Sequence, residues 1–302
     1  MTPNPYLQKL GYTDNDRVVI LHADDIGMCH AGLVAYRELL EFGVLSSAAA
    51  MVPCAWFAET AATCRTLQSH QPHLDMGVHL TLTSEWDGFR WGPISTRDAA
   101  SGLLDEEGYF YHGTRAVQEY GRPETVALEV EAQIQRALAA GIDVTHIDSH
   151  MGSIFHPKFL PLYIELARKY RIPALSLRLT ENNFLAAGFD EETAERFAHW
   201  SQELEASGFP LLDSIFGMPL DSHENRLDVA RQWLDGLEAG IHYFLFHPCI
   251  DTPELRAFAP DWRSRVADYE LFINEAWRQA LAASGVKVIG WKPIRGVMRL
   301  GY

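Results

Sequence analysis

Five ionisable residues stand where short apolar runs end. Asp24 and Asp25 close RVVILHADDIG, His79 lies late in MGVHLTL, His150 follows THIDS, and His247 closes FLFHPC. If those runs are strands of a parallel barrel, their carboxyl ends meet on one face, where such barrels build active sites. Two neutral imidazoles and one carboxylate are a common ligand set for a divalent metal, leaving coordination positions for water and substrate. A bound cation also makes two adjacent carboxylates tolerable. Each residue alone has a plainer reading. A histidine near a strand end often satisfies a backbone carbonyl, Asp24 or Asp25 could cap the next helix, and His146 and Asp148 could bond locally. Several such accidents on one face are harder to accept together. Neighbouring strand residues face opposite ways, so both acids reach one site only through a bend, for which Gly27 is well placed.

The elements that must position these groups alternate along the chain. Strand candidates are 17–23, 44–52, 74–82, 143–148, 174–179, 211–216, 241–246 and 286–290. Several are apolar on both faces, as parallel strands covered by helices are. Between them, 124–140 places Val126, Val130, Ile134 and Leu138 at fourfold spacing before Gly141, the pattern of an amphipathic helix with a glycine stop. Pro157 opens another helix to about Arg168, and further helices fall near 31–42, 190–206, 225–239 and 263–284. Eight alternations predict an α/β fold: an irregular, TIM-barrel-like (β/α) barrel of mostly parallel strands. An open doubly wound sheet is the rival. No Pro/Ser-rich linker divides residues 1–302, so one domain is expected. Residues 84–116 lack a clear period and read as a substrate-binding loop or lid. Its Trp86, Phe89, Trp91, Tyr109, Phe110 and Tyr111 could stack on sugar rings or simply pack the loop down.

Composition removes other classes. The formal net charge of −15 disfavours a nucleic-acid backbone or an anionic membrane as partner. No run of 18 apolar residues predicts a transmembrane helix, and the amino terminus lacks the pattern of a signal peptide. Cys29, Cys54, Cys64 and Cys249 form no C-x-x-C pair and read as reduced thiols of a cytoplasmic protein.

Taken in order, ILHADDIGM, GVLSSAAAMV, GVHLTLT, THIDSHMG, IPALSLR and FHP resemble the YdjC-like carbohydrate deacetylases, the family of chitooligosaccharide deacetylase. The resemblance spans residues 17–250. It implies an irregular (β/α) barrel and a hydrolase that removes N-acetyl groups from amino sugars or oligosaccharides with one divalent metal. It further implies Asp25, His79 and His150 as metal ligands, Asp24 as general base and His247 as acid. Arg178 would contact substrate or orient catalytic groups, its plainer reading being a barrel-end salt bridge. Zn²⁺ is the first expectation for the metal, with Mg²⁺, Mn²⁺, Co²⁺ and Fe²⁺ also compatible. A homodimer is compatible with the sequence.

Three departures stand out. His22 occupies a position where relatives often have Asn, the His-rich run after the fourth strand is reduced to DSHMGSIFHP, and HPC replaces HPG or HPA. The rival readings are three. An amidohydrolase-type barrel usually needs His-x-His on its first strand. A non-haem iron oxygenase shares the ligand triad, and His146-Ile147-Asp148 fits its spacing, but it uses an antiparallel barrel. A non-catalytic carbohydrate binder would need neither Asp24 nor His247.

Overall fold

The computed structural model describes residues 2–71 and 74–301. Among these described residues seven strands form the sheet: β1 Arg17–Ile26, β2 Ser47–Ala50, β3 Met76–Leu80, β4 Val144–Ser149, β5 Ser214–Gly217, β6 Gly240–Phe246 and β7 Lys287–Val288. Their order is β4-β3-β2-β1-β6-β5, with β7 also on β1, and every pairing is parallel. The α/β barrel expected from the alternation is present, and it is irregular in two places.

The expected strand at 174–179 is reduced to two bridges, Ile147 with Ala174 and Leu177 with Leu212. Hydrogen bonds from Leu175 N–H to Ile147 O and from Leu212 N–H to Ser176 O, each 2.9 Å, carry the ring from β4 round to β5. Pro173 at the start of this segment has no N–H to offer a ladder. The expected eighth strand does not sit between its predecessor and β1, because β6 pairs with β1 directly. Instead β7 meets β1 at Val18 and Val19, on the edge that β2 takes from His22 onward.

Period-two alternation divides β1 between two environments. Val19, Leu21 and Ala23 join the large apolar layer beneath the helices. Val18 and Ile20 join Ile241, Tyr243, Leu175, Leu212 and Trp291 inside the ring. His22 and Asp24 continue that inner face, so the barrel interior turns from apolar to polar as β1 approaches its carboxyl end.

The helices follow the apolar periods. In Pro123–Ala139, Val126, Val130 and Ile134 are buried, while Leu138 is 43% exposed and Ala137 takes its place. Fourfold spacing advances about 40° per step around the helix, so the fourth member has rotated off the buried face. The expected helix at 263–284 is two, Trp262–Phe272 and Glu275–Ser284. Asn274 starts the second by accepting the Ala276 N–H at 2.8 Å. The helix expected from Pro157 begins later, at Leu160. Helices Phe57–Leu67 and Trp291–Leu300, with shorter ones at Pro5–Lys9, Thr114–Tyr120, Glu181–Ala186 and Pro253–Phe258, lie outside the periods read from the sequence.

Candidate metal centre and active site

Asp24, Asp25, His79 and His150 come together at the carboxyl ends of β1, β3 and β4, each at least nine-tenths buried. Asp24 reaches the site by strand alternation alone. Asp25 does not, since as the next residue it should face the helices. Its backbone turns into the left-handed region (φ 62°), the β1–β2 register slips between Ala23 and Ile26, and Asp25 O accepts the Met28 N–H at 3.1 Å. The bend therefore falls at Asp25 itself as well as at Gly27 (φ 89°). A non-glycine residue held there costs on the order of 1–3 kcal/mol, which marks the placement of this carboxylate as over-determined by its surroundings.

Those surroundings assign an atom to each group. Arg265 Nη1 donates to Asp25 Oδ2 at 2.8 Å, so Oδ1 is the oxygen presented to the histidines. Oδ1 lies 3.4 Å from His79 Nε2 and 3.1 Å from His150 Nδ1. His79 Nδ1–H donates to Asp148 Oδ1 at 2.8 Å, and His150 Nε2–H donates to Glu85 Oε2 at 2.9 Å. A carboxylate on one ring nitrogen fixes the tautomer and leaves the other nitrogen as a lone pair, the arrangement of metal-ligating histidines. Asp25, His79 and His150 each offer a ligand atom within 4.8 Å of the others, and their chemistry fits a divalent cation.

The electrostatics agree. Burial pulls both histidines down, but Asp148 and Asp24 drive His79 well above the imidazole range, and Glu85 and Asp25 push His150 up to about 9. Burial would raise Asp25, but His150, His79 and Arg265 hold it well below the carboxylate range. The carboxylates around the two rings favour positive charge there.

Asp24 and His247 stand beside the triad. Asp24 Oδ2 is 3.7 Å from His247 Nε2. The His247 backbone N–H donates to Asp268 Oδ2 at 2.9 Å, which pins the residue following β6. Burial lowers the His247 imidazole below its ordinary 6.5, so it rests neutral.

A second polar layer lies one step deeper. His22 Nε2 is 3.1 Å from both Asp24 Oδ1 and Asp148 Oδ2, and Tyr243 donates to Asp148 Oδ2 at 3.0 Å. Ser47 and Thr145 both donate to Asp75 Oδ1, at 3.1 and 2.6 Å. Burial raises Asp75, against these donors and the Lys292 N–H.

Arg178 is not brought to this site. Its guanidinium pairs with Asp213 Oδ1 at 2.9 Å and Glu205 Oε1 at 2.6 Å and donates to Thr2 O at 2.9 Å. Asp213 immediately precedes β5, whereas the cluster lies where β1 and β6 finish; the barrel-end salt bridge is the reading that holds. The loop aromatics mostly pack. Trp86, Trp91 and Phe110 are buried, Phe89 stacks on Phe258 with centroids 4.3 Å apart, and Tyr109 is exposed. Arg90 ties the loop together through Asp105 and Phe110 O, both at 2.6 Å.

Glu85, Asp148 and Arg265 are functional neighbours that sequence reasoning did not assign. Asp148 stands two residues before His150 in a motif already singled out. Glu85 and Arg265 carry no local signal, lying in an aperiodic loop and on a helix distant in the chain.

Comparison with known proteins adds an independent finding. The family described as YdjC-like protein matches residues 18–283. A protein named carbohydrate deacetylase from Thermus thermophilus is 33% identical over 292 residues, covering 96% of this chain and 97% of its own. One of the same name from Thermoanaerobacter pseudethanolicus is 29% identical over 239 residues, covering 79% and 84%. A crystal structure of an Enterococcus faecalis protein named for cellobiose-phosphate cleavage matches with TM-score 0.75 at 24% identity, over 92% of this chain and 99% of that one. This last likeness is one of fold.

Proposed function

Because the chain belongs to the YdjC-like protein family, we propose that it is a metal-dependent carbohydrate deacetylase that hydrolyses the N-acetyl group of an amino sugar or oligosaccharide. The observation that carries this reading is the convergence of Asp25 Oδ1, His79 Nε2 and His150 Nδ1, with Asp24 and His247 beside them. A divalent metal held by the three ligands would polarise the acetyl carbonyl and acidify a water molecule.

The chain's own groups supply the proton traffic. Asp24 Oδ2 takes the proton of the attacking water. His247, neutral at rest and 3.7 Å from that oxygen, receives the proton and delivers it to the departing amine, which leaves poorly without one. Arg265 aims Asp25, which His150, His79 and Arg265 together hold ionised. Asp148 and Glu85 hold the two rings in the tautomers that ligation requires. The oxygenase reading is disfavoured by the wholly parallel pairing, and His146 of its spacing motif lies in the deeper layer.

The test is acetate release from a panel of N-acetylated amino sugars and their oligomers by metal-loaded protein. Release that stops on chelation and returns with metal is expected. Metal-loaded protein that releases no acetate from any of them overturns the reading.

A further inference from the structure

The deeper layer beneath the catalytic cluster has an imbalance that hydrogen bonding does not resolve. Asp75 accepts the hydroxyl protons of both Ser47 and Thr145. Each hydroxyl has one hydrogen, so each can only accept from the ring beside it. His22 Nδ1, 3.0 Å from Ser47 Oγ, and His146 Nδ1, 2.8 Å from Thr145 Oγ1, must therefore both be N–H donors. That leaves Nε2 of each neutral ring as a lone pair, and both lone pairs face carboxylate oxygens. His22 Nε2 is 3.1 Å from Asp148 Oδ2 and from Asp24 Oδ1, and His146 Nε2 is 3.9 Å from Asp148 Oδ2. Among the described residues, His22 Nε2, His146 Nε2 and Asp24 Oδ1 have no hydrogen-bond partner. Both rings are fully buried, where unmet acceptors opposite acceptors are costly.

We propose that His22, His146 and Asp148, with Asp24 Oδ1 as a fourth donor, form a second divalent-cation site beneath the catalytic one. His22, His146 and Asp148 offer ligand atoms within 4.8 Å of one another. The observed separations bracket the edge of about 3.3 Å expected between tetrahedral ligands bound at about 2.0 Å. Two imidazoles and two carboxylates suit zinc better than magnesium. The site is built around its histidines. Trp291 stacks on the His146 ring at 5.0 Å and 16°, and a Cβ on Gly77 would fall 2.4 Å from that ring, so the β3 backbone leaves room for it. A proton on His22 would satisfy the two acids but leave His146 Nε2 unmet. This second site goes beyond the proposed deacetylase reading and does not need it.

The experiment is zinc stoichiometry. Full-length protein is stripped with chelator, reloaded with Zn²⁺, freed of excess by gel filtration and analysed for metal per chain. The count for the doubly substituted Asp25→Asn/His22→Asn protein is subtracted as surface binding. Two equivalents are expected for the parent chain, with one lost in His22→Asn and in His146→Gln, and a different one lost in Asp25→Asn. His22→Asn keeps a smaller polar side chain that can still donate to Ser47 or the acids, so it keeps the test decisive if His146→Gln fails to fold. One equivalent in the parent, kept in His22→Asn and lost in Asp25→Asn, overturns this inference and leaves the catalytic site standing. One equivalent lost in His22→Asn and kept in Asp25→Asn sustains this site and overturns the proposed catalytic ligands.

Discussion

Charged clusters occur at both ends of this barrel, and they are composed differently. At the amino end Arg295 meets both oxygens of Asp143 at 2.6 and 2.8 Å and Val144 O at 2.7 Å. Arg178 is likewise divided among Asp213, Glu205 and Thr2. There each guanidinium fork is spent on acceptors already in place. At the carboxyl end Asp24, Asp25, Asp148 and Glu85 crowd His22, His79, His150 and His247, Arg265 is shared between Asp25 and Asp261, and His22 Nε2, His146 Nε2 and Asp24 Oδ1 have no hydrogen-bond partner among the described residues. The first cluster ties elements together with guanidinium groups, whereas the second sets carboxylates against imidazoles in an arrangement that could hold a cation.

The contrast can be attacked from the carboxyl end first. Asp24→Asn should lower kcat for acetate release by about 10²–10⁴-fold while the metal at Asp25, His79 and His150 is retained; full activity would remove Asp24 as the base. His247→Gln should cost about 10²-fold and abolish one limb of the pH–rate profile. Protonation of His247 at low pH blocks its acceptance of the proton from Asp24, and its pKa is below 6.5. Activity should therefore fall as pH drops through a value under 6.5, and a limb unchanged in the variant would reassign it.

Glu85→Gln leaves a group that can still accept from His150 but carries no charge. Metal affinity should weaken by about 10-fold, the lower range for an outer partner of a ligating histidine, as measured by competition with a chromophoric chelator. An unchanged affinity would make Glu85 a loop anchor only. Arg178→Met, at the amino end, should change acetate release less than twofold and lower the melting temperature, because Asp213 loses a partner. A large rise in KM with unaltered melting would restore Arg178 to the substrate.

How much of this was legible before folding follows a physical line. Parallel strands separated by helices bring their carboxyl ends together whatever the details, so the approach of Asp24, Asp25, His79, His150 and His247 could be read from strand positions. The partners Glu85 and Arg265 could not, because an aperiodic loop and a distant helix reach the site through packing, which leaves no spacing signal. The aromatic loop shows the same limit: Trp91 becomes a buried donor to Thr83 O at 2.7 Å, and composition alone does not distinguish that from an exposed stacking platform. Leu138 turned outward because a fourfold period drifts around a helix that repeats every 3.6 residues.

The alternation of strands and helices is written in the chain's periodicity, and with it the set of residues at the carboxyl end of the barrel. Period-two alternation also placed His22 with Asp24 on the inner face. Which atoms are presented there is settled by packing in the closed barrel. Asp25 reaches the cluster through one left-handed backbone angle, Asp148 and Glu85 select the ring nitrogens, and Ser47, Thr145 and Asp75 turn His22 and His146 toward the acids. Each of these depends on hydrogen bonds between strands distant in the chain, and those form only once the barrel has closed.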